Sequence, residues 1–448
     1  MNMELNKKNI SVIGLGNTGI AVANFLSRQG ACVTVTDGKS RDQLSEPLKK
    51  LCADVKTRFE NPKPTADAEI VVLSPGVDIH SPFLDSAKQT GTEIISEIEL
   101  ASRFNTVPII AITGTNGKST CTSLVAEILS LSGKTVHAGG NLGTPFISLL
   151  DHHNADFRIL EISSFQMEAT TGLHPVVSVI LNISPDHMDR HKDFKTYTEL
   201  KEKIYANQTR KDFLILNHDD DHTRGIGENC PAERIMFSIQ TELKKGIFLR
   251  GNKIIARLQN DEQEIMSVET LSKGMQWQVE NILPAIAVAL LLDISREVIQ
   301  QALKNFTGLE HRLEWVRTMN GIDYVNDSKG TNVGSVCKSL NTFDRPIILI
   351  AGGKDKETDF SPLKVLMKEK VKHLVLIGET RGKFKEILNG SFGYEESESL
   401  EEAVHLAKAK AEDGDIVLLS PACASFDMFE NYEDRGNQFK TIIKNLKG

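Results

Sequence analysis

Three times along the chain a short run of β-branched and other apolar residues gives way to glycines and then to a helical pattern. These are ISVIGLGNTG from Ile10, PIIAITGTNGKST from Pro108 and IILIAGGKDK from Ile347. A strand apolar at every position is buried on both faces, the condition of a parallel sheet covered by helices, and a glycine loop leading into a helix opens such a layer. CVTVTD, EIVVLSPG, RILEISS and VVSVILNISPDH share this texture and end in polar or glycine turns. They predict further parallel strands, whose C-terminal ends collect the chemistry. From about Asp212 to Thr270 the pattern changes to short alternating segments such as IFLRG and KIIARLQ with many charges, which predicts a small antiparallel patch. Turns near Glu97 and Gly308 precede new strand patterns, so the expected division is 1–97, 98–308 and 309–448, three α/β units without a short repeat.

Composition narrows the class. At 448 residues the chain suits about three domains. A formal charge of −8 gives no electrostatic footprint for nucleic acid or an anionic membrane, which leaves small molecules as partners. The six cysteines have no ligand-like spacing and read as reduced, mostly core thiols. The first residues lack a signal-peptide core, and ILPAIAVALLL is too short to span a bilayer. A cytoplasmic monomer without membrane insertion is expected.

GTNGKST lies directly behind a strand pattern, although strict Walker spacing would put glycine at position 112, where Ile112 stands. The physics of a phosphate loop survives: Gly114, Thr115, Asn116 and Gly117 let backbone N–H groups approach an anion at a helix start, and Lys118 supplies a point charge. Ser119 or Thr120 adds an oxygen for Mg²⁺, so ATP and Mg²⁺ are the expected ligands and a P-loop-type ATPase the expected central fold. A glycine turn with a surface lysine is the plain alternative. The N-terminal GLGNTG (Gly14, Gly16, Gly19), with Asp37 closing the next strand, is a dinucleotide fingerprint that fits NAD, the diphosphate of another nucleotide, or only a tight turn. SPG at Ser74–Gly76 closes another strand of the same layer.

Glu161 ends one strand, and Asp186, His187, Asp189 and His191 follow the next. Carboxylate and imidazole there suit Mg²⁺ beside phosphate, with zinc or a solvated turn as alternatives. HRLEWV, VNDSKGTN and SPACASFDMFENY each mix charge or hydroxyls with small residues at expected strand ends, as helix caps and turns also do.

Taken in order, GTNGKST, EISSFQ, DHMDRH, HRLE, NDSKGTN and LLSPACASFDMFENYEDRGNQF resemble the Mur ligase family across nearly the whole chain. The last segment and the GxGxxG start are most similar to its D-glutamate-adding branch. The resemblance implies a Rossmann-like N-terminal domain for a UDP-sugar, a central ATPase domain and a Rossmann-like C-terminal domain for the amino acid. It implies an ATP-dependent, amide-forming ligase of peptidoglycan-precursor synthesis, with UDP-N-acetylmuramoyl-L-alanine and D-glutamate as substrates and an acyl phosphate between them.

Residue by residue, the resemblance implies that Gly16, Asn17, Thr18, Asp37, Gly38, Lys39, Ser74, Gly76, Asn141 and His187 hold the UDP-linked substrate. It gives residues 114–120 to the ATP phosphates, Asn281, Arg312, Asp327 and Lys329 to the nucleotide, and Thr331, Lys356, Ser425, Phe426 and Tyr432 to D-glutamate. Lys118, Glu161, His187 and Lys201 are the implied catalytic set, and Ser119, Glu161, His187 and a carbamylated Lys201 the implied Mg²⁺ ligands; without the resemblance Lys201 reads as an exposed helix lysine. Closure of the domains with hinges near Gly308 is implied as well. Three positions depart: Trp277 and Gln278 stand where the family has His-Asn before Asn281, and Lys39 stands where arginine is frequent and cannot make its bidentate phosphate contact. A related Mur or folylpolyglutamate ligase with another acceptor, an NAD-dependent oxidoreductase, and a nucleotide sensor without turnover are the competing expectations.

Overall fold

In the sequence NISVI every residue but the first is buried, which fits the middle strand of a parallel sheet. Asn9–Ile13 (β1) lies between Cys32–Thr36 (β2) and Ile70–Leu73 (β4), with Lys56–Arg58 (β3) and Glu93–Ser96 (β5) outside, in the order β3-β2-β1-β4-β5, all parallel. That order is half of a doubly wound Rossmann sheet. The computed structural model describes residues 4–188, 190–258, 261–355, 358–388 and 393–447. They form two compact units, 1–267 with 280–303 and 268–279 with 304–448.

The first unit also holds a nine-stranded sheet. Its strands are Ile109–Thr113 (β6), Val136–Gly140 (β7), Phe157–Glu161 (β8), Val177–Ile180 (β9), Phe213–Asn217 (β10), Glu233–Ser238 (β11), Gly246–Arg250 (β12), Lys253–Leu258 (β13) and Asp261–Ser267 (β14). The order is β14-β13-β12-β11-β10-β9-β6-β8-β7, parallel from β7 to β12. The antiparallel patch expected over 212–270 is therefore smaller than anticipated: only β12, β13 and β14 alternate in direction. β10, with four of its five residues buried, continues the parallel sheet, as a strand covered on both faces does. One apolar core runs under both sheets of this unit, from Leu26 and Ile98 to Phe146 and Leu160. Helix Glu97–Phe104 bridges them, and Glu97 Oε1 accepts the amide of Ile147 at 2.6 Å.

The second unit contains Glu314–Met319 (β15), Ile322–Asn326 (β16), Ile347–Gly352 (β17), Val371–Ile377 (β18), Tyr394–Glu396 (β19) and Ile416–Leu419 (β20). They lie in the order β15-β16-β20-β17-β18-β19, parallel except for β15. Helices Leu400–Lys410 and Tyr432–Asn445 contribute Val404 and Phe439 to the core on one face. Residues 268–279, expected with the central layer, pack here: Trp277 meets Phe343 edge to face at 5.0 Å between ring centroids.

The apolar run ILPAIAVALLL fills most of the 13-residue helix Val279–Leu291 and ends one residue beyond it, with Ile282 to Ala289 buried. No helix among the described residues is long and apolar enough to cross a membrane. All six cysteines are free, but only Cys121 and Cys423 are buried, so most are not the core thiols expected. Cys32 faces solvent because it opens its strand, before the buried stretch begins.

Candidate functional site

The loop after β6 is shaped by its glycines. Gly114 has φ +148°, and a Cβ there would stand 3.0 Å from Leu181 Cβ. Gly117 has φ +85° and caps helix Lys118–Leu131, and its Cβ would fall 2.0 Å from Asn281 Oδ1. Asn182 clamps the loop between them: its Oδ1 accepts the Asn116 amide at 2.8 Å, and its Nδ2 donates to Asn116 O at 3.1 Å. The Thr115 amide donates to Asn182 O at 2.9 Å, and the Thr115 hydroxyl meets the Tyr197 hydroxyl at 3.1 Å. The helix behind has no acid in its first turn, so its positive end is open to an anion, and Ser119 and Thr120 are buried there.

Two lysine amines converge on one carbonyl. Lys118 Nζ donates to Gly114 O at 2.9 Å and Thr115 O at 2.8 Å, and Lys201 Nζ reaches the same Gly114 O at 2.8 Å. Lys201 is only 2% exposed and lies over the Tyr197 ring, 4.6 Å from its centroid, so it is not the exposed helix lysine its charged neighbours suggest. Burial and the Lys118 charge hold its amine well below the usual lysine range, against the opposing pull of Asp186 and Glu161. Such a lysine is inclined to the neutral, nucleophilic form.

Glu161 closes β8 beside this pair. Its Oε1 accepts from Asn141 Nδ2 at 2.6 Å, while Oε2 is buried without a hydrogen-bond partner. A buried carboxylate oxygen left open is costly unless a cation meets it. The DHMDRH string divides. His187, at φ +58°, is exposed and leans on the Phe165 ring at 4.8 Å. His191 is buried, its Nε2 3.0 Å from Ser164 Oγ, and burial lowers its pKa. Asp189 lies outside the described residues, among which no three His, Cys, Asp or Glu side chains group closely enough to hold a metal alone.

The N-terminal glycine loop is equally tight. A Cβ on Gly19 would sit 1.8 Å from Gly14 O, and Gly14 has φ +92°. Ser74 Oγ donates to Gly14 O at 3.0 Å, joining the SPG turn to this loop. Asp37 accepts the Leu15 amide at 2.8 Å and the Lys39 amide at 2.9 Å, so its carboxylate first fixes the loop itself. Gly16, Asn17, Gly38, Lys39 and Gly76 are exposed around it, and Thr18 is half-buried. Helix Asn17–Arg28 also lacks an acid in its first turn.

In the second unit, HRLE and NDSKG are laced together. His311 and Leu313 take φ +65° and +46° on either side of Arg312, a strained turn. It is held by Leu313 N donating to Asp327 Oδ1 at 3.3 Å and Lys329 N donating to His311 O at 3.0 Å. Asp327 also accepts from Ser339 and Ser420 hydroxyls, each at 2.7 Å, and burial pushes its pKa up to about 6. Lys329 Nζ lies 3.6 Å from the Tyr432 ring centroid. Thr331 N donates to Lys329 O at 2.8 Å. Ser425 is buried and Phe426 is 69% exposed in the SPACASF turn. Lys356 lies outside the described residues. The fully buried Arg435 joins these segments through Ser328 Oγ at 2.9 Å and Cys423 O at 3.2 Å. Gln278 Nε2 is turned to Arg312 O at 3.2 Å and Gly274 O at 3.4 Å, whereas Asn281 belongs to the first unit, its Oδ1 buried without a partner.

Sequence reading passed over Asn182, Tyr197, Arg190 and Arg435. Asn182 ends the apolar run VVSVIL and was visible as a polar residue at a strand end. The partners of the other three are remote in sequence and left no local signal.

Two glycine loops at helix starts, one backed by a buried lysine pair and an open carboxylate oxygen, define a nucleotide-phosphate-handling α/β protein. Family models agree: a Mur ligase MurD-like N-terminal domain matches 8–96, a Mur ligase middle domain 112–289, and a Mur ligase glutamate ligase domain 311–423. The chain is 44% identical over 449 residues to UDP-N-acetylmuramoylalanine–D-glutamate ligase of Geobacter metallireducens, covering 99% of each. It is 43% identical to the protein of the same name from Koribacter versatilis, again covering 99% of each. Among solved structures, a pseudomurein peptide ligase type C from Methanothermus fervidus matches with TM-score 0.60 at 19% identity, covering 99% of this chain and all of that one. UDP-N-acetylmuramate-alanine ligase from Thermotoga maritima matches with TM-score 0.56 at 19% identity, covering 98% and 100%. At such identity these two speak for the fold. The chain belongs to the Mur ligase family.

Proposed function

We propose that this protein is the ATP-dependent ligase that adds D-glutamate to UDP-N-acetylmuramoyl-L-alanine in peptidoglycan-precursor synthesis. The full-length relatives bear that enzyme's name, and the observation in the site that carries the chemistry is the convergence of Lys118 and Lys201 on Gly114 O beside the open oxygen of Glu161. Residues 1–97 would serve the UDP-sugar, 98–308 the ATP and 309–448 the amino acid. Gly16, Asn17, Thr18, Asp37, Gly38, Lys39, Ser74 and Gly76 are assigned to the UDP end, and Asn141 and His187 to the reacting end of that substrate.

The acceptor's terminal carboxylate takes the γ-phosphoryl of ATP and ADP leaves. The amine of D-glutamate then attacks the acyl carbon, and phosphate departs as the amide forms. Two like unit charges about 4 Å apart repel by roughly 4 kcal/mol at an effective dielectric of about 20, so the first step needs positive charge and fixed orientation. Lys118 and the amides of 114–120 supply both. The residues fit a magnesium ion: Glu161 has an unpartnered buried oxygen, Ser119 and His187 offer further ligands, and CO₂ addition to the Lys201 amine would create an anionic oxygen donor. When bound, such an ion draws charge from the phosphoryl oxygens. His187 is the candidate to take the proton from the attacking amine. Asn281, Arg312, Asp327 and Lys329 are assigned to ATP, and Thr331, Lys356, Ser425, Phe426 and Tyr432 to D-glutamate.

An amino-acid panel of D-Glu, L-Glu, L-Ala and L-Lys, run with and without the UDP-muramoyl acceptor, tests this reading. Product with D-Glu alone is expected; a preference for another amino acid would move the protein to a different branch. A monomeric, cytoplasmic enzyme is inferred, and sedimentation of the purified chain checks the first part.

A further inference from the structure

One side chain ties together two turns that belong to different sheets. Arg190 Nη2 donates to Val77 O at 2.8 Å and to Glu168 Oε2 at 2.6 Å, and Nε donates to Glu168 Oε1 at 3.1 Å. Val77 follows directly on Ser74–Gly76 and closes that turn through Val77 N to Ser74 O at 2.9 Å. Arg190 therefore grips the exit of the turn behind the N-terminal glycine loop. Its own backbone closes the other turn: the amides of Arg190 and His191 both donate to His187 O at 3.0 Å, where His187 takes φ +58°. The guanidinium lies 5.3 Å from the centroid of the Phe165 ring, the ring on which His187 leans.

The pair has the character of a fixed joint. The Arg190 and Glu168 side chains are 15% and 10% exposed, unlike solvent-exposed ion pairs, which add little. A planar fork on a carboxylate holds both distance and angle, which a lysine cannot do. The second N–H of Nη2 then reaches a main-chain carbonyl of the neighbouring domain, so the position of His187 relative to Ser74–Gly76 is set by one rigid group.

We propose that Arg190 is a positioning residue for the acceptor end of the site, holding the Ser74–Gly76 turn and the His187 turn in one fixed relation. Diphosphate grip and imidazole placement are then set together. This rests on the assignment of Ser74, Gly76 and His187 to the UDP-linked substrate.

The test uses full-length Arg190→Lys, Arg190→Met and Glu168→Gln, with steady-state kinetics in each substrate and direct titration with UDP. Loss of a charge-assisted bond predicts a KM for the UDP-linked acceptor raised by about tenfold, with the KM for ATP within about twofold of wild type. Arg190→Lys should recover less than half of the loss seen in Arg190→Met, because charge without the fork does not orient. An unchanged acceptor KM overturns the proposal, as does a parallel rise in both KM values with a lowered Tm, which marks general destabilisation. Titrating the wild type and Ser74→Ala with UDP separates the two levels. If wild type binds UDP and Ser74→Ala binds it more weakly, the assignment stands and the Arg190 variants judge the joint alone. If wild type binds no UDP, the assignment falls and the proposal falls with it.

Discussion

Replacing Asn182 by alanine should loosen the phosphate loop while leaving its lysines in place. The residue is 9% exposed, and its side chain makes two bonds to one residue, accepting from Asn116 N at 2.8 Å and donating to Asn116 O at 3.1 Å. Each neutral bond contributes about 1 kcal/mol net, so about 2 kcal/mol of loop order is removed. The Thr115 amide keeps its bond to the main-chain oxygen of residue 182, which limits the loss to the tip of the loop. If only the ordered loop binds ATP, apparent affinity falls with the competent fraction, by up to about 30-fold for 2 kcal/mol. Tyr197→Phe removes one bond at the other side of the loop, the hydroxyl contact to Thr115, and should weaken ATP about fivefold. ATP titration of both variants, with the KM for the acceptor measured alongside, gives the readout. An ATP affinity within about twofold of wild type for Asn182→Ala, together with a lowered Tm, would refute the reasoning: the bonds would then hold the fold and not the loop.

Gly117→Ala combines a left-handed backbone at φ +85° with a Cβ that would meet Asn281 Oδ1 at 2.0 Å, and about 1–2 kcal/mol for the backbone alone predicts at least fivefold weaker ATP binding by calorimetry. Lys201→Met should abolish turnover yet raise the Tm of the ligand-free protein in CO₂-free buffer. Burial lowers the folded-state pKa of Lys201, so the unfolded chain binds more protons between that pKa and the ordinary lysine value, and stability rises with pH across that window in wild type but not in the variant. Glu97 shows the opposite sign: burial raises its carboxyl from 4.5 to about 7, so its contribution is full below pH 4.5 and is lost as pH rises through about 7. That loss amounts to about 3 kcal/mol, and Glu97→Gln, which can keep the Ile147 bond, should flatten denaturant midpoints between pH 5 and 9; an unchanged slope would contradict this.

What the sequence made legible is what local pattern controls. Both glycine loops stand where the strand-to-helix switches put them, and Gly14, Gly19, Gly114 and Gly117 are glycine for steric reasons the spacing already suggested. Lys118 and Glu161 fall at strand and helix ends, as a parallel sheet requires. Lys201 is the counter-example. Its helix, FKTYTELKE, carries charge around much of its surface, and only the tertiary placement under Gly114 O buries the amine. The contacts of Arg190 with Val77, of Asn182 with Asn116 and of Arg435 with Ser328 span domains or loops far apart in the chain, and no periodicity encodes them. The antiparallel patch is smaller than the sequence pattern suggests because charged connecting segments surround β10 and β11, whose own residues pair in parallel. Trp277 stands near Asn281 in sequence, but the chain passes from one unit to the other between them.

The central claim is that phosphoryl transfer from ATP serves amide formation between two particular substrates. Phosphate release by the purified protein with Mg-ATP measures it most directly. The account predicts negligible release with ATP alone or with either substrate alone, and rapid release, matched mole for mole by amide product, when UDP-N-acetylmuramoyl-L-alanine and D-glutamate are both present. Phosphate release that is equally fast without them would contradict it.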